Sequence, residues 1–206
     1  MEDLNKEKIV KEIITHRRSV RKFNEKTISK KDIMDIVEAG VYAPSGSNWQ
    51  TQRFLVITNK EHISQIIFSK TQKEKLESAS AIIMIFADTS KCRKDNEEHI
   101  WELLKIKDCA ASMQNMQIMA TSKNIASCWI SFENRMSKTR VIKYKSIEEI
   151  LKPYNIPETY EVHDFLVLGY TNILDELGYP KGYGRHGWIN EKISRKNTDE
   201  YILGWY

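Results

Sequence analysis

A dense group of cationic and hydroxyl side chains lies in the segment THRRSVRKF, residues 15–23. Arginine presents a planar fork of N–H donors that matches a phosphate or a carboxylate, and a neighbouring hydroxyl can add a short hydrogen bond. In an extended segment, alternate side chains point to the same side. We therefore expect Arg17, Ser19 and Arg21 to converge on one anionic ligand, with Arg18 on the opposite side.

Two other interpretations of this cluster stay open on these residues alone. A run of basic side chains is often solvated surface between two helices. Such a run also suits the phosphate backbone of a nucleic acid, where the interleaved Phe23 can stack on a base. The net charge of +4 is compatible with a small anionic ligand and is too small to require a nucleic acid.

The composition predicts one globular domain over residues 1–206, with 41% hydrophobic and 29% charged residues. The longest apolar run, at 81–87, is far shorter than the ~18 residues of a membrane-spanning helix. Charges run through residues 1–14, where a secretory signal carries its apolar core, so export is not expected. The three cysteines form no C-x-x-C pair, which favours reduced thiols and a cytoplasmic location over disulfides or a zinc site.

Four short runs rich in Ile, Val, Phe and Trp predict the β-strands that must position the cluster. Their mixed rather than strictly alternating pattern is typical of a sheet covered on both faces. The runs are RFLVIT at 53–58, AIIMIFAD at 81–88, SCWISF at 127–132 and DFLVLGYT at 164–171.

Helices are predicted from capping pairs and from apolar spacing. A proline-free stretch with apolar residues at helical spacing, 96–123, predicts a long helix that suits a subunit interface. The apolar end of the chain, 201–206, is expected to pack on a partner subunit. The five histidines have no metal-ligand spacing, so no metal site is predicted. Helix starts are predicted at Ser29 with Asp32, Thr58 with Glu61, and Ser146 with Glu149.

Four segments, in this order and spacing, resemble the nitroreductase family of FMN-dependent oxidoreductases. They are RRSVRKF at 17–23, APSGSNWQTQRFLVI at 43–57, DCAASMQNMQIMATSKNIASCWI at 108–130 and SRKN at 194–197. The resemblance covers nearly the whole chain. It implies an α+β fold with a central, mostly antiparallel sheet flanked by helices, and an intertwined homodimer whose C-terminal tail packs on the partner.

The resemblance also implies an NAD(P)H-dependent enzyme. NADH or NADPH gives a hydride to N5 of a tightly but non-covalently bound FMN and leaves, and a nitroaromatic, quinone or other small acceptor then takes it in a ping-pong cycle. Because the flavin carries the chemistry, no catalytic side chain is expected. The same fold also allows dehalogenation, flavin fragmentation, dehydrogenation of a pathway intermediate, or a flavin-binding sensor without turnover.

In that family, the first Arg and the Ser of the R-R-S-x-R motif usually hold the FMN phosphate and ribityl chain, which implies these roles for Arg17 and Ser19. Arg21 matches a basic residue near the flavin N1 and O2 edge, where a cation stabilises the negative charge added on reduction. Arg18 is a further candidate from the same motif. Arg195 matches the basic residue that completes the phosphate site.

The loop PSGSNWQ resembles the family's P-S-x-x-N-x-Q signature, which reaches the flavin from the other subunit. Side-chain amides both donate and accept hydrogen bonds, as a flavin pyrimidine edge demands, and a glycine allows close backbone approach. The residues implied here are Pro44, Ser45, Gly46, Asn48 and Gln50.

A third group of flavin contacts is implied at Trp129, Ile130 and Ser131, where family members present backbone N–H groups to flavin N5 and O4. Here the sequence departs from the family: Asn124, Ala126 and Ser131 stand at positions that are often glycine. The strand is expected to survive these changes. The shape of the chain above the flavin, and with it the substrate class, stays open.

Overall fold

The fold is built on a four-stranded antiparallel sheet. A computed structural model describes residues 5–66, 78–91, 98–131, 151–183, 189–190 and 197–201. The strands lie side by side in the order β1-β2-β4-β3, and a separate two-stranded ribbon pairs β5 with β6. The strands are β1 Gln52–Ile57, β2 Ala81–Asp88, β3 Ala126–Ser131, β4 Tyr160–Gly169, β5 Gly182–Tyr183 and β6 Ile189–Asn190.

Helices flank this sheet, so the predicted α+β class is confirmed. The α-helices in the described ranges are α1 Lys6–His16, α2 Lys30–Val41, α3 Lys60–Gln65 and α4 Glu98–Ser122. Short 3-10 turns occur at Gly46–Asn48, Thr89–Lys91, Lys152–Tyr154 and Thr198–Tyr201. Within the described ranges, no helix combines the length and hydropathy needed to span a membrane.

The predicted helix starts have different outcomes. Ser29 caps α2, and its hydroxyl accepts the Asp32 N–H at 3.0 Å. The start at Thr58 was wrong by one residue: the amide oxygen of Asn59 accepts two helix N–H groups, whereas a hydroxyl at Thr58 lies one position too early. The start at Ser146 falls outside the described residues.

Both faces of the sheet are covered, as the strand pattern predicts. Every residue of β2 is buried. One face packs under α2 and α4, and the other packs against α3 and the segment that follows α1. The core on the first face is formed by residues of the sheet and both helices, including Ile33, Ile36, Ile83, Ile85, Met113 and Met116. The core on the second face includes Val20, Phe23, Ile63, Ile82, Met84 and Phe165.

The chain after α1 is fastened to the outer edge of β3. Ser19 forms a parallel bridge with Ser127, and the Val20 N–H donates to the Ser127 carbonyl at 2.8 Å. Phe23 packs on Gly169, where an added Cβ would lie 2.7 Å from the Phe23 ring. The absence of a side chain at Gly169 thus lets the segment lie flat against the sheet.

Helix α4 carries two charged residues into the interior, Lys105 and Asp108, each 5% exposed. The ammonium of Lys105 lies 2.5 Å from Glu161 and 2.6 Å from Glu102. Burial alone lowers the pKa of Lys105, but these two carboxylates outweigh it and raise the pKa overall. Burial raises the pKa of Asp108, and the hydrogen bond from the Gly46 N–H opposes part of that shift.

Asp108 gives the free energy of unfolding a pH dependence whose sign follows from this shift. The folded pKa lies above the unfolded value of 3.8, so the stabilising contribution is full below that value and is lost as the pH rises through the folded pKa. Since Asp108→Asn does not titrate at this position, its free energy of unfolding relative to wild type should increase between about pH 4 and pH 7. Urea unfolding at a series of pH values measures this difference.

Asp35→Asn is a control with the opposite sign. Hydrogen bonds to Lys123 and Lys31 lower the pKa of Asp35, so its contribution is present above pH 3.8 and is lost as the pH falls through the folded pKa. Since Asp35→Asn does not titrate at this position, its free energy of unfolding relative to wild type should decrease as the pH rises toward 4. A flat difference between Asp108→Asn and wild type across pH 4–7 would contradict the raised pKa.

Candidate functional site

The cationic segment leaves α1 in an extended conformation. Arg17 follows the last residue of α1 and has a φ of −57° and a ψ of 126°. Val20 is completely buried, whereas the side chains of Arg17, Ser19 and Arg21 are half-buried. Three donors therefore reach the surface of one short segment beside the edge of β3.

Arg18 is turned back toward α1. Its Nη1 donates to the carbonyl oxygens of Thr15 and Arg17, the latter at 3.0 Å. These carbonyls lie at the negative end of the helix, where a cation is stabilising. The guanidinium of Arg18 therefore closes the helix.

The edge of β3 supplies backbone donors next to this segment. The Ser127 carbonyl points away from β4, toward Val20. Because N–H and C=O directions alternate along a strand, the N–H groups of Trp129 and Ser131 also point away from β4. Trp129 is half-buried and Ser131 is exposed, so within the described residues this edge becomes more accessible toward its C-terminal end. Ile130 lies between them and packs on the face that contains Phe165.

The loop between α2 and β1 has an unusual backbone. Ser47, Asn48 and Gln50 have φ angles of 47°, 55° and 51°, in the left-handed region that non-glycine residues rarely adopt. For Ser47 and Gln50 this conformation costs roughly 1 kcal/mol or more each, whereas asparagine adopts it at lower cost. Within the loop, the Ser45 hydroxyl accepts the Gln50 N–H and the Asn48 amide oxygen accepts the Gln50 side chain, both at 3.0 Å. Pro44 is exposed, as are the amides of Asn48 and Gln50.

Gly46 fastens this loop to α4. Its N–H donates to Asp108 Oδ1 at 3.0 Å. A Cβ added at Gly46 would lie 2.8 Å from Leu104, so the side chain of Leu104 occupies that space. The sequence interpretation assigned the glycine to close approach of a flavin, whereas its contact in this chain is with α4. Further along the loop, the ring centroid of Trp49 lies 4.0 Å from that of Trp101 on α4.

The cationic segment and the loop lie at opposite corners of the sheet. Ser19 lies outside β3, four strand spacings or about 19 Å from β1. Ser127 and Ala81 pair with the same residue of β4, so Ser127 lies in the same row of the sheet as the start of β2. Gln52, at the start of β1, pairs instead with Ala87, near the end of β2. These rows lie six residues, or about 20 Å, apart along the strands. One chain therefore does not bring the two groups of candidate residues together.

Sequence reasoning missed the buried charges of α4 and their partners. Lys105 and Asp108 are three residues apart on the helical face that also carries Trp101 and Cys109, and this spacing was the available signal. His163 lies near them at a bulge in β4, where the register jumps from Asp164 to Val162. Burial lowers the pKa of His163, with the charge of Lys105 as the next cause. Arg195, the C-terminal tail 202–206 and most of the region 68–79 lie outside the described residues.

Comparison with known proteins places these features in a family. The sequence profile of the Nitroreductase family matches residues 14–170. An Archaeoglobus fulgidus protein with the provisional name NADH dehydrogenase/NAD(P)H nitroreductase is 30% identical over 164 residues, which cover 80% of this chain and 86% of the relative.

Two solved structures of at least 25% identity share the fold. An FMN-dependent nitroreductase from Clostridium difficile R20291 has a TM-score of 0.64 and 27% identity, over 90% of this chain and 98% of that chain. A nitroreductase with bound FMN from Bacteroides fragilis NCTC 9343 has a TM-score of 0.62 and 25% identity, over 92% and 96%. The profile match over residues 14–170 and the 30% identical relative show that the chain belongs to the Nitroreductase family.

Proposed function

We propose that this protein is an FMN-dependent oxidoreductase that takes a hydride from NADH or NADPH and passes it to a nitroaromatic, a quinone or another small acceptor. The family and the FMN named in two structural neighbours support this proposal. The observation that carries it is the row of half-buried donors at Arg17, Ser19 and Arg21 beside the open edge of β3.

The donor set fits the chemistry of FMN. A phosphate dianion takes charge-assisted hydrogen bonds from guanidinium groups and a hydroxyl, which Arg17 and Ser19 supply. The carbonyl and ring-nitrogen acceptors of a flavin suit the outward N–H groups at Trp129 and Ser131. Exposed amides at Asn48 and Gln50 can both donate and accept, as a pyrimidine edge requires. We expect Arg195 to add a further phosphate contact.

When bound, FMN supplies the hydride acceptance and donation. The chain's own part is electrostatic and positional. The cation of Arg21 stabilises negative charge that develops close to it, and the fixed strand edge orients the ligand without any proton transfer by a side chain. Because Ser131 is exposed at the end of β3, we expect one side of the site to stay accessible to the nicotinamide and then to the acceptor. Such alternating use of one site corresponds to ping-pong kinetics.

We further propose a homodimer with two sites, each shared between the chains. Since the cationic segment and the loop lie more than about 20 Å apart in one chain, a ligand the size of FMN reaches both only if the loop comes from a second copy. Exposed apolar side chains next to the loop suit such an interface. They are Val41 (62% exposed), Tyr42 (79%), Leu103 (52%) and Ile106 (51%).

The cellular location we propose is the cytoplasm. Cys109 and Cys128 are buried, reduced thiols, as expected in a reducing compartment. Burial raises the pKa of Cys109 to about 12, which keeps this thiol protonated and unreactive at neutral pH. Cys128 packs in the core and is only 2% exposed, so we assign it no part in the reaction.

The visible absorption spectrum tests the function directly. The purified protein, mixed with FMN and freed of excess, should retain bands at about 370 and 450 nm, which are typical of an oxidised flavin. Anaerobic addition of NADH or NADPH should then bleach the band near 450 nm. A protein that releases all added FMN, or that keeps FMN but is bleached by neither nicotinamide, would refute the proposed activity.

Replacement of Arg17 should weaken FMN binding. Arg17→Ala removes a charge-assisted contact to the phosphate, worth about 1.5–3 kcal/mol, and should raise the dissociation constant roughly tenfold or more. Lys22→Ala is the matched control, because it removes one positive charge from an exposed neighbour. Fluorescence titration of the flavin-free protein measures both variants. If both substitutions weakened FMN binding equally, Arg17 would contribute only general electrostatic attraction and no direct contact to the phosphate.

Mixed dimers test whether the sites are shared. Arg17→Ala and Asn48→Ala each damage both sites of their own homodimer. In a heterodimer of the two, one site receives both substitutions and the other receives none, so half of the FMN sites should bind with wild-type affinity. Differently tagged chains allow the heterodimer to be isolated before titration. Heterodimers without any wild-type site would contradict a shared site.

A further inference from the structure

The loop that carries Asn48 and Gln50 adopts a costly conformation, so other groups must hold it. Three of its residues have left-handed φ angles, and two of the hydrogen bonds that stabilise them lie within the loop itself. We propose that Asp108 and Arg53 are positioning residues that hold the loop, residues 44–50, from its two ends. The inference rests on the proposed function, since the loop is taken to contact FMN in the partner subunit's site.

Asp108 holds the start of the loop. Its carboxylate accepts the Gly46 N–H at 3.0 Å from within the interior, where the side chain is 5% exposed. Leu104, on the preceding turn of α4, fills the space beside Gly46 and leaves no room for a side chain there. The backbone at Gly46 is therefore fixed both by a buried acceptor and by packing.

Arg53 holds the end of the loop. Its Nη1 donates to the carbonyl oxygens of Gln50 at 2.8 Å and Gln52 at 2.9 Å. On the other side, Nη2 donates to Asp88 at 2.8 Å, and the side chain of Asp88 is only 6% exposed. The Nε of Arg53 also donates to the Tyr160 hydroxyl at 3.3 Å. The sheet thus holds the guanidinium of Arg53, and the guanidinium holds the carbonyl of Gln50, whose φ angle is left-handed.

These two restraints lie on either side of Asn48. If either is lost, the loop can relax from its left-handed angles, and FMN must then order it again on binding. The free-energy cost of ordering the loop weakens FMN binding, although every group proposed to contact FMN is still present. Because the loop serves the site of the other chain, the damage should appear across the dimer interface.

Substitutions at Asp108 separate positioning from general stability. Asp108→Leu removes the acceptor at similar size and should weaken FMN binding about tenfold. Asp108→Asn keeps a side-chain oxygen that can accept the Gly46 N–H, and should stay within about twofold of wild type. Cys109→Ala, the neighbouring change on α4, leaves a small cavity in the core and should leave FMN affinity unchanged.

Heterodimers identify which site is damaged. Paired with an Arg17→Ala chain, an Asp108→Leu chain should give one site of wild-type affinity per dimer, because both substitutions fall on the same site. Paired with an Asn48→Ala chain, it should give none. If Asp108→Leu does not fold, Arg53→Lys takes its place, since lysine keeps the charge beside Asp88 but lacks the fork that reaches the carbonyls.

The outcomes distinguish this inference from the proposed function. Recovery with Arg17→Ala and not with Asn48→Ala supports the positioning role. Equal behaviour in the two pairings, or unchanged FMN affinity in both Asp108→Leu and Arg53→Lys, overturns it. A wild-type protein that does not retain FMN overturns the proposed function itself.

Discussion

The strand order β1-β2-β4-β3 is the constraint on which the rest of the structure depends. It places the segment after α1 against one corner of the sheet and the loop before β1 at the diagonal corner. Antiparallel pairing along six or more residues and burial on both faces leave no freedom to bring these corners together. A ligand that needs both groups can therefore be held only between two chains. In the proposed homodimer, association of the two chains is therefore part of the binding chemistry as well as a way to cover apolar surface.

Helix α4 connects the polar interior to the loop. A buried ammonium is costly unless paired, and Lys105 has Glu102 on its own helix and Glu161 on β4. One turn later, Asp108 directs its carboxylate to the Gly46 N–H. The same helical face thus ties the helix to the sheet and to the loop. The burial of Asp108 raises its pKa, so the contact that fixes the loop is made at some cost to the folded state at neutral pH.

The sequence was most informative where hydrophobic pattern alone decides the structure. β2 has its predicted bounds, 81–88, and α4 begins and ends within two residues of the predicted 96–123. β4 begins four residues before the predicted start, because its first residues are only partly buried and include a bulge at His163 that periodicity cannot show. Motifs named the candidate residues, and the family resemblance implied that the loop serves the site of the other subunit. The strand order that separates the two groups could not be predicted, because it is set by long-range pairing. The left-handed angles at Ser47 and Gln50 also escape sequence reasoning, since neither residue is one that favours this conformation.

The departures from the family's glycines have a structural explanation at the turn before β3. Asn124 has a φ of 54°, and its N–H donates to the Thr121 carbonyl at 3.0 Å, which closes α4. Asparagine is among the few residues that adopt this conformation at low cost, so it replaces a glycine without loss of the turn. Ala126 is 1% exposed and packs in the core, where a methyl group fits. Ser131 alone adds a polar side chain at the exposed end of β3. Any effect of these departures on acceptor choice is therefore expected at Ser131, since the other two positions preserve the backbone that the site needs.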